Sequence, residues 1–264
     1  MWTHLLFDDL RTTRRTTLWW IVGLALYVAV SWAFYPVVRD SPDLTQFVER
    51  LPEALRQTLG AQDLVSPGGY AWARLFSLLL PITLVIYGIR AGTRAVAGDE
   101  EQGRLELLLA QPITRTELLA ARTASLAVNL LLLGVGIFAV AALGARLVQA
   151  DLDGARLLLA TAQVILLAWM LGAVALALGT ATGRLGLASG LAFALTLGTY
   201  LIHSLSPQVP ALQQWRVVSP FWYAVGQSPF AGEPDGRGMV VLLLAGGAAV
   251  LLAAPAFLRR DIGR

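Results

Sequence analysis

The sequence contains no cysteine and no lysine. The first absence excludes disulfides, thiolate metal sites and cysteine nucleophiles. The second excludes a phosphate-binding loop of the GxxxxGK[ST] type, which needs a lysine. Charge of any kind is scarce: 14% of the 264 residues are charged, where a soluble domain carries about a quarter. All 20 basic residues are arginines, and they sit at the ends of apolar segments. That placement is a membrane-topology signal; it is not the pattern of a basic groove for nucleic acid.

What the chain has in quantity is apolar sequence, 56% of it, with a mean hydropathy of +0.65. The apolar residues fall in blocks of roughly 18 or more, enough for a helix to cross about 30 Å of hydrocarbon. The expectation is an all-α polytopic membrane protein, a single membrane domain over residues 1–264 with six transmembrane helices at 17–38, 71–89, 115–143, 155–182, 185–205 and 239–258. Pro81 is expected to kink the second. Arg11, Arg14 and Arg15 precede the first run, but Leu18 to Val38 is too long for a signal sequence and lacks a small-x-small cleavage site. It reads as a retained span.

Six crossings put both termini on one side. With that side in the cytoplasm, inner segments hold twelve arginines against eight acids, and outer segments eight against nine. The arginine excess predicts cytoplasmic termini. All five Ser-Pro dipeptides, at 41, 66, 206, 219 and 228, then fall in outer segments. In residues 1–16, Trp2, Leu5, Leu6 and Leu10 share one helical face opposite Asp8, Arg11 and Arg15, as in a helix lying in the interface. The loop from Arg39 to Tyr70 predicts two short helices begun by Pro42 and Pro52, with Gly60 ending the second. "SPQVPALQQWRVVSPFWYAVGQSPF" is aromatic yet too broken to span, so an interfacial or re-entrant segment is expected before the sixth span.

Between the second and third spans lies a charged island, "AGDEEQGRLELLLAQPITRTELLAAR". Leu105, Leu108 and Leu109 follow i, i+3, i+4 spacing while Glu101, Arg104 and Glu106 point elsewhere. Pro112 stops this helix near Gln111, giving an amphipathic helix over 99–111. Thr114 and Glu117 then form a capping box, with Ile113 and Leu118 as its staple, and restart the chain as the third span. From the residues alone the island is either an interfacial helix filling a loop or a docking element for a cytoplasmic partner.

The island resembles the segment between the second and third spans of ABC-2 type transporter permeases. Glu101, Gly103, the leucines 107–109, Pro112 and Arg115 match that pattern. Arg122 stands where the family usually has lysine, and Arg104 where threonine commonly follows the glycine. The N-terminal amphipathic stretch, six spans, "SPFWYA" and the terminal "FLRRDIGR" extend the likeness over the chain, although only the 100–122 block is specific. The resemblance implies a permease subunit of an ATP-driven exporter in the bacterial plasma membrane. It implies two permease copies and a separate ABC ATPase subunit that binds ATP and magnesium, with no cofactor on this chain. Under it, 99–111 is a cytoplasmic coupling helix in which Glu100, Glu101 and Arg104 contact the ATPase and Leu105, Leu108 and Leu109 anchor against the spans. Spans two and five face the pathway in this family, which makes Ser77, Thr83, Thr196 and Tyr200 lining candidates. Spans of Leu, Ala, Gly and Val with few fixed charges fit an amphipathic or hydrophobic cargo.

Other chemistry fits less well. Ser189 and His203 lie fourteen residues apart on one helix, about 21 Å, too far for a nucleophile and its base, and no HExxH or other metal-binding pattern occurs. Gly186-x-x-x-Gly190 is a close-packing face. His203, near the outer end of its span, is read as bonding locally ahead of relaying protons. Asn129 and Gln163 lie inside spans, where polar groups are expensive; they either bridge helices, the preferred reading, or line a pathway. The alternative function is an ATP-independent secondary transporter or channel, but no Asp or Glu lies deep in a span and no internal repeat is evident.

Overall fold

The computed structural model describes residues 2–41, 66–110, 113–232 and 236–260. The expected helices of the first loop and the Pro112 break lie outside this set, as do the side chains of Leu107 and Leu109. Every described element is helical. Among the described residues six helices are long and apolar enough to cross a membrane: Thr3–Arg39, Pro67–Glu101, Arg115–Leu147, Gly154–Thr182, Leu185–Leu205 and Arg237–Arg259, here spans 1 to 6.

Span boundaries follow local chemistry. Span 3 begins at the capping box: Thr114 Oγ1 accepts from the Glu117 amide at 3.2 Å, and the Thr114 amide donates to Glu117 Oε2 at 3.0 Å. Asp153 caps span 4, its Oδ1 accepting from the Ala155 amide at 2.8 Å. Gly183, in the left-handed region at φ 63°, ends span 4 where a side chain would be strained.

Two elements differ from expectation. The N-terminal amphipathic stretch and span 1 form one unbroken 38-residue helix, Trp2–Arg39. Its length, roughly 57 Å, exceeds a hydrocarbon core of about 30 Å. The threonines between them do not break it, because Thr12 and Thr13 donate back to the Asp8 and Asp9 carbonyls at 2.9 Å, the helix-compatible alternative for such side chains. Span 2 shows the expected break before Pro81 but runs well beyond residues 71–89, over Pro67–Glu101, and is segmented further. Leu78 leaves helical geometry at φ −142° and ψ −65°, just after the residue four before Pro81. Pro81 has no amide for the Ser77 carbonyl and its ring crowds that position. Wide π turns occupy Trp72–Phe76 and Arg94–Gly98, and the second carries the helix on to Asp99–Glu101.

Span 4 is the core of the bundle, packed on spans 2 and 6, while span 1 packs on span 3. Spans 2 and 4 approach through glycine. A Cβ on Gly92 would lie 2.1 Å from the Gly172 carbonyl oxygen, and one on Gly88 2.5 Å from that of Ala168. No substituent fits there, so close backbone contact replaces side-chain interlocking. Span 5 is the reverse: only Ala188 and Ala192 of it are buried.

Leu5 of the N-terminal helix and Ala253 and Phe257 of span 6 share one apolar cluster at one end of the bundle, the proximal end. At the distal end the helix Pro220–Val225 is seated against span 4 with Phe221 and Ala224 buried, whereas Pro210–Val218 is exposed. Ser219 Oγ donates to the Thr199 carbonyl at 2.7 Å and fixes the seated helix to span 5. The broken aromatic segment thus dips back into the bundle before span 6.

Candidate functional site at the proximal end

Three successive carboxylates, Asp99, Glu100 and Glu101, follow the second π turn of span 2. A π turn shifts the helical register by an extra residue and recurs at functional sites. Here the carboxylates diverge to three different elements. Asp99 pairs with Arg122 of span 3 and, at 3.0 Å, with Arg104. Glu100 pairs with Arg260 at the end of span 6. Glu101 Oε1 accepts from the Leu185 amide at 2.7 Å, satisfying a free donor at the first turn of span 5.

The links extend further. Arg122 also pairs with Asp9 of the N-terminal helix. Arg260 donates to the Thr180 carbonyl at 2.7 Å, at the end of span 4. Arg115, at the start of span 3, donates to the Phe257 and Arg260 carbonyls at 2.8 and 2.7 Å, the free acceptors of span 6. The side chains of Arg122, Asp9 and Asp99 are 15%, 15% and 9% exposed. Charges so desolvated persist only when paired. Spans 1, 3, 4, 5 and 6 are therefore all tied, directly or through one arginine, to the segment that leaves span 2.

The single helix expected over 99–111 is divided: Asp99–Glu101 continues span 2, and Gly103, at a left-handed φ of 67°, turns the chain into the short helix Arg104–Leu109. Leu105, 1% exposed, packs with Val96, Leu118, Leu119, Leu176, Ala253 and Phe257, and Leu108 borders that cluster. Gln102, Gly103, Arg104, Glu106 and Ala110 face outward. Among the expected partner-contacting residues, Arg104 is thus 54% exposed at its side chain, whereas Glu100 and Glu101 bond within the chain and Arg115 holds the C-terminal turn of span 6. Asp9, Asp99, Arg122 and Arg260 did not stand out in the sequence as a set. The available signal was Arg122 itself, a charge two turns inside an apolar helix that requires a partner.

The expected pathway residues do not converge within one chain. Asn129 lines a proximal cavity of about 530 Å³. It bridges helices there, its Oδ1 accepting from Thr17 Oγ1, which also bonds the Tyr87 hydroxyl, both at 2.9 Å. Thr83 borders a separate groove and donates back to the Leu79 carbonyl at 2.7 Å. Ser77 donates back to the Ala73 carbonyl at 2.7 Å and borders neither space. On span 5, Tyr200 stacks edge-on to Phe221 at 5.3 Å. Thr196 Oγ1 and His203 Nδ1 are enclosed without a hydrogen-bond partner. Among the described residues no three His, Asp or Glu side chains gather as a metal site would require.

The fold and this hub coincide with a family match over nearly the whole chain. Residues 9–259 match the family model described as "Multidrug efflux system permease Rv1217c, C-terminal domain". The matched stretch runs from Asp9 of the hub to the last turn of span 6, so it takes in every span and the charged island. No curated protein matches the chain. Matched over that length, the chain belongs to the family of this multidrug efflux permease domain.

Proposed function

We propose that this chain is an ABC-2 type permease subunit of an ATP-driven exporter. A separate ATPase grips it at the Gly103–Ala110 segment, and nucleotide-driven movement there is passed to the spans through the carboxylates 99–101. The observation that carries this reading is the hub. A six-residue helix anchored by Leu105 presents Gln102, Arg104 and Glu106 outward, while the acids beside it hold five other spans. A motor can drive a conformational switch only through contacts that differ between states, and reversing a 1:99 population takes about 5.5 kcal/mol. Part-buried ion pairs, costly to break from one side, can carry a load of that order to the spans where one exposed pair cannot. The absence of lysine, and with it of a Walker lysine, supports a motor on another polypeptide.

A second copy of the chain completes the assembly in this reading. Gly186, Gly190 and Gly198 of span 5 have nothing within 4 Å of a built Cβ, the open small-residue face on which a membrane helix packs against another. The cargo is amphipathic or hydrophobic, in keeping with spans that carry few fixed charges, and both termini are cytoplasmic.

The test is co-purification and transport with the ATPase. Arg104→Glu, or Leu108→Asp, is expected to release the ATPase or to leave hydrolysis uncoupled from efflux. Transport by the chain alone, driven in proteoliposomes by an ion gradient without nucleotide, would overturn the proposal, as would wild-type coupling in both variants.

A further inference from the structure

Spans 1 and 2 enclose a cleft with two chambers. The proximal chamber, about 530 Å³, takes Thr12 and Thr16 from span 1 and Tyr87, Arg90 and Arg94 from span 2, and span 3 closes it with Leu118, Ser125 and Asn129. The second, about 410 Å³, takes Trp19, Trp20, Gly23 and Tyr27 from span 1 and Leu79 and Thr83 from span 2. On each helix these positions recur every three or four residues, so they form one continuous stripe. The chambers therefore lie end to end along one face between the two helices, with the buried Thr17–Tyr87 hydrogen bond at 2.9 Å crossing between them. Tyr87 and Trp20, edge to face with ring centroids 5.4 Å apart, form the waist between them.

The two stretches differ in chemistry. The second is almost wholly apolar and aromatic, and a Cβ built on Gly23 meets nothing within 4 Å, so its floor is open. The proximal chamber is lined by Arg90, Arg94, Arg104 and Arg122 against Asp8, Asp9 and Asp99. Arg122 engages Asp9 and Asp99, and Arg104 engages Asp99. Those pairs satisfy four of the seven charges. Arg90 and Arg94, one turn apart and both exposed, have no carboxylate partner among the described residues, and Asp8 offsets only one of them.

We propose that this cleft holds one membrane glycerophospholipid. Its phosphodiester lies between Arg90 and Arg94, and one acyl chain runs past Tyr87 over Gly23 toward Leu79. Planar guanidinium donors match phosphate oxygens. Arg90 and Leu79 are separated by roughly 16 Å along the helix, close to the ~15 Å half-thickness of the hydrocarbon core. The charged and apolar stretches are thus spaced as a phosphate and an extended chain are. A free phosphate would use the arginines and leave the aromatic chamber without an occupant, which is why a lipid is favoured. The proposal requires spans 1 and 2 to be in the bilayer and is independent of the ATPase reading.

The test uses the full chain, purified in detergent and delipidated, with bound lipid counted by native mass spectrometry. Dioleoyl phosphatidylglycerol is added, and in parallel dioleoylglycerol, which lacks the phosphate, and inorganic phosphate, which lacks the chain. One phosphatidylglycerol is expected to be retained per chain, with dioleoylglycerol held about ten-fold more weakly and inorganic phosphate unable to displace the lipid. Arg90→Gln with Arg94→Gln is expected to lower occupancy about ten-fold at an unchanged lipid-free melting temperature. Gly23→Leu, a substitution into open space, is expected to weaken retention of the lipid while leaving its dependence on phosphate in place, and it carries the test if the arginine variant does not fold. Equal retention of dioleoylglycerol, or wild-type retention by Gly23→Leu and by a folded arginine variant, would overturn the proposal. Displacement of the lipid by inorganic phosphate would overturn it in favour of a free-anion site.

Discussion

Arg122 is the cation on which the hub turns, and replacing it by methionine gives a measurable prediction. Methionine preserves much of the side-chain volume and removes the charge together with the N–H donors to Asp9 and Asp99. Asp9 then keeps no cation within ion-pair distance among the described residues, and Asp99 keeps only Arg104. The Arg104 side chain is 54% exposed, so its pair with Asp99 is worth no more than about 1 kcal/mol. Arg122, by contrast, sits with both carboxylates where exposure is 15% or less. Breaking such a buried pair from one side costs about 3–5 kcal/mol, because the stranded carboxylates stay desolvated. The loss corresponds to a fall in melting temperature on the order of 10 °C, read by thermal unfolding of the detergent-solubilised protein. Asp9→Asn and Asp99→Asn added to Arg122→Met remove the stranded charges, and that triple variant is expected to regain most of the loss, since the cost belongs to the unpaired groups. An Arg122→Met protein that melts with the wild type, or a triple variant no better than the single, would refute the reasoning.

Further expectations follow from local geometry. Gly92→Ala places a Cβ 2.1 Å from the Gly172 carbonyl oxygen, so spans 2 and 4 must part. The expected loss is at least the roughly 1–3 kcal/mol of ordinary overpacking, whereas Gly190→Ala, with nothing within 4 Å, should leave the melting of the single chain unchanged. Equal effects in the two variants would contradict the packing described. Glu101→Ala removes the acceptor for the Leu185 amide; by analogy with helix caps the cost is about 0.5–2 kcal/mol. Faster hydrogen exchange over Leu185–Ala188 would report it, and unchanged exchange there would count against the cap.

The parts of this structure that were legible in the sequence are those decided within a few residues. Hydropathy placed span 5 at 185–205, where the helix lies. The Thr114–Glu117 box was readable because donor and acceptor are three residues apart. The Pro81 effect was expected, but its location at Ser77–Leu78 depends on which carbonyl loses its donor. What was not legible has long sequence separation: Arg122 and Asp9 are 113 residues apart, and Glu100 and Arg260 are 160 apart. No periodicity links such pairs. The π turn at Arg94–Gly98 escaped for a different reason, since no composition rule distinguishes it from α-helix, yet it sets the directions of all three acids. Glu100 and Glu101 accordingly looked like a surface for a partner, while the fold uses them to hold spans 6 and 5.

That internal use bears on how the proposed motor would act. Were the acids the contact surface, force would enter span 2 alone and reach the other spans only through side-chain packing. Instead Asp99 and Glu100 are paired inside the chain, and Glu101, though exposed, is bonded to the Leu185 amide. A push on Arg104–Leu109 would then move the three acids together and load span 3, the N-terminal helix, span 6 and span 5 at once. The glycine seam at Gly88, Gly92 and Gly172 holds span 2 against span 4, so span 2 cannot slide along span 4 without lifting backbone off backbone. The segment is then free to tilt about the seam but not to shear along it. A tilt changes the Asp99–Arg122, Glu100–Arg260 and Glu101–Leu185 distances together, because all three acids lie beyond the end of the seam. Glu100→Gln should therefore weaken transport per ATP hydrolysed in the assembled exporter while leaving ATPase binding intact, whereas Arg104→Glu should affect binding. A Glu100→Gln protein that loses the ATPase but transports normally per nucleotide when the ATPase is supplied in excess would show that the carboxylate faces the motor, and that the load does not pass through it.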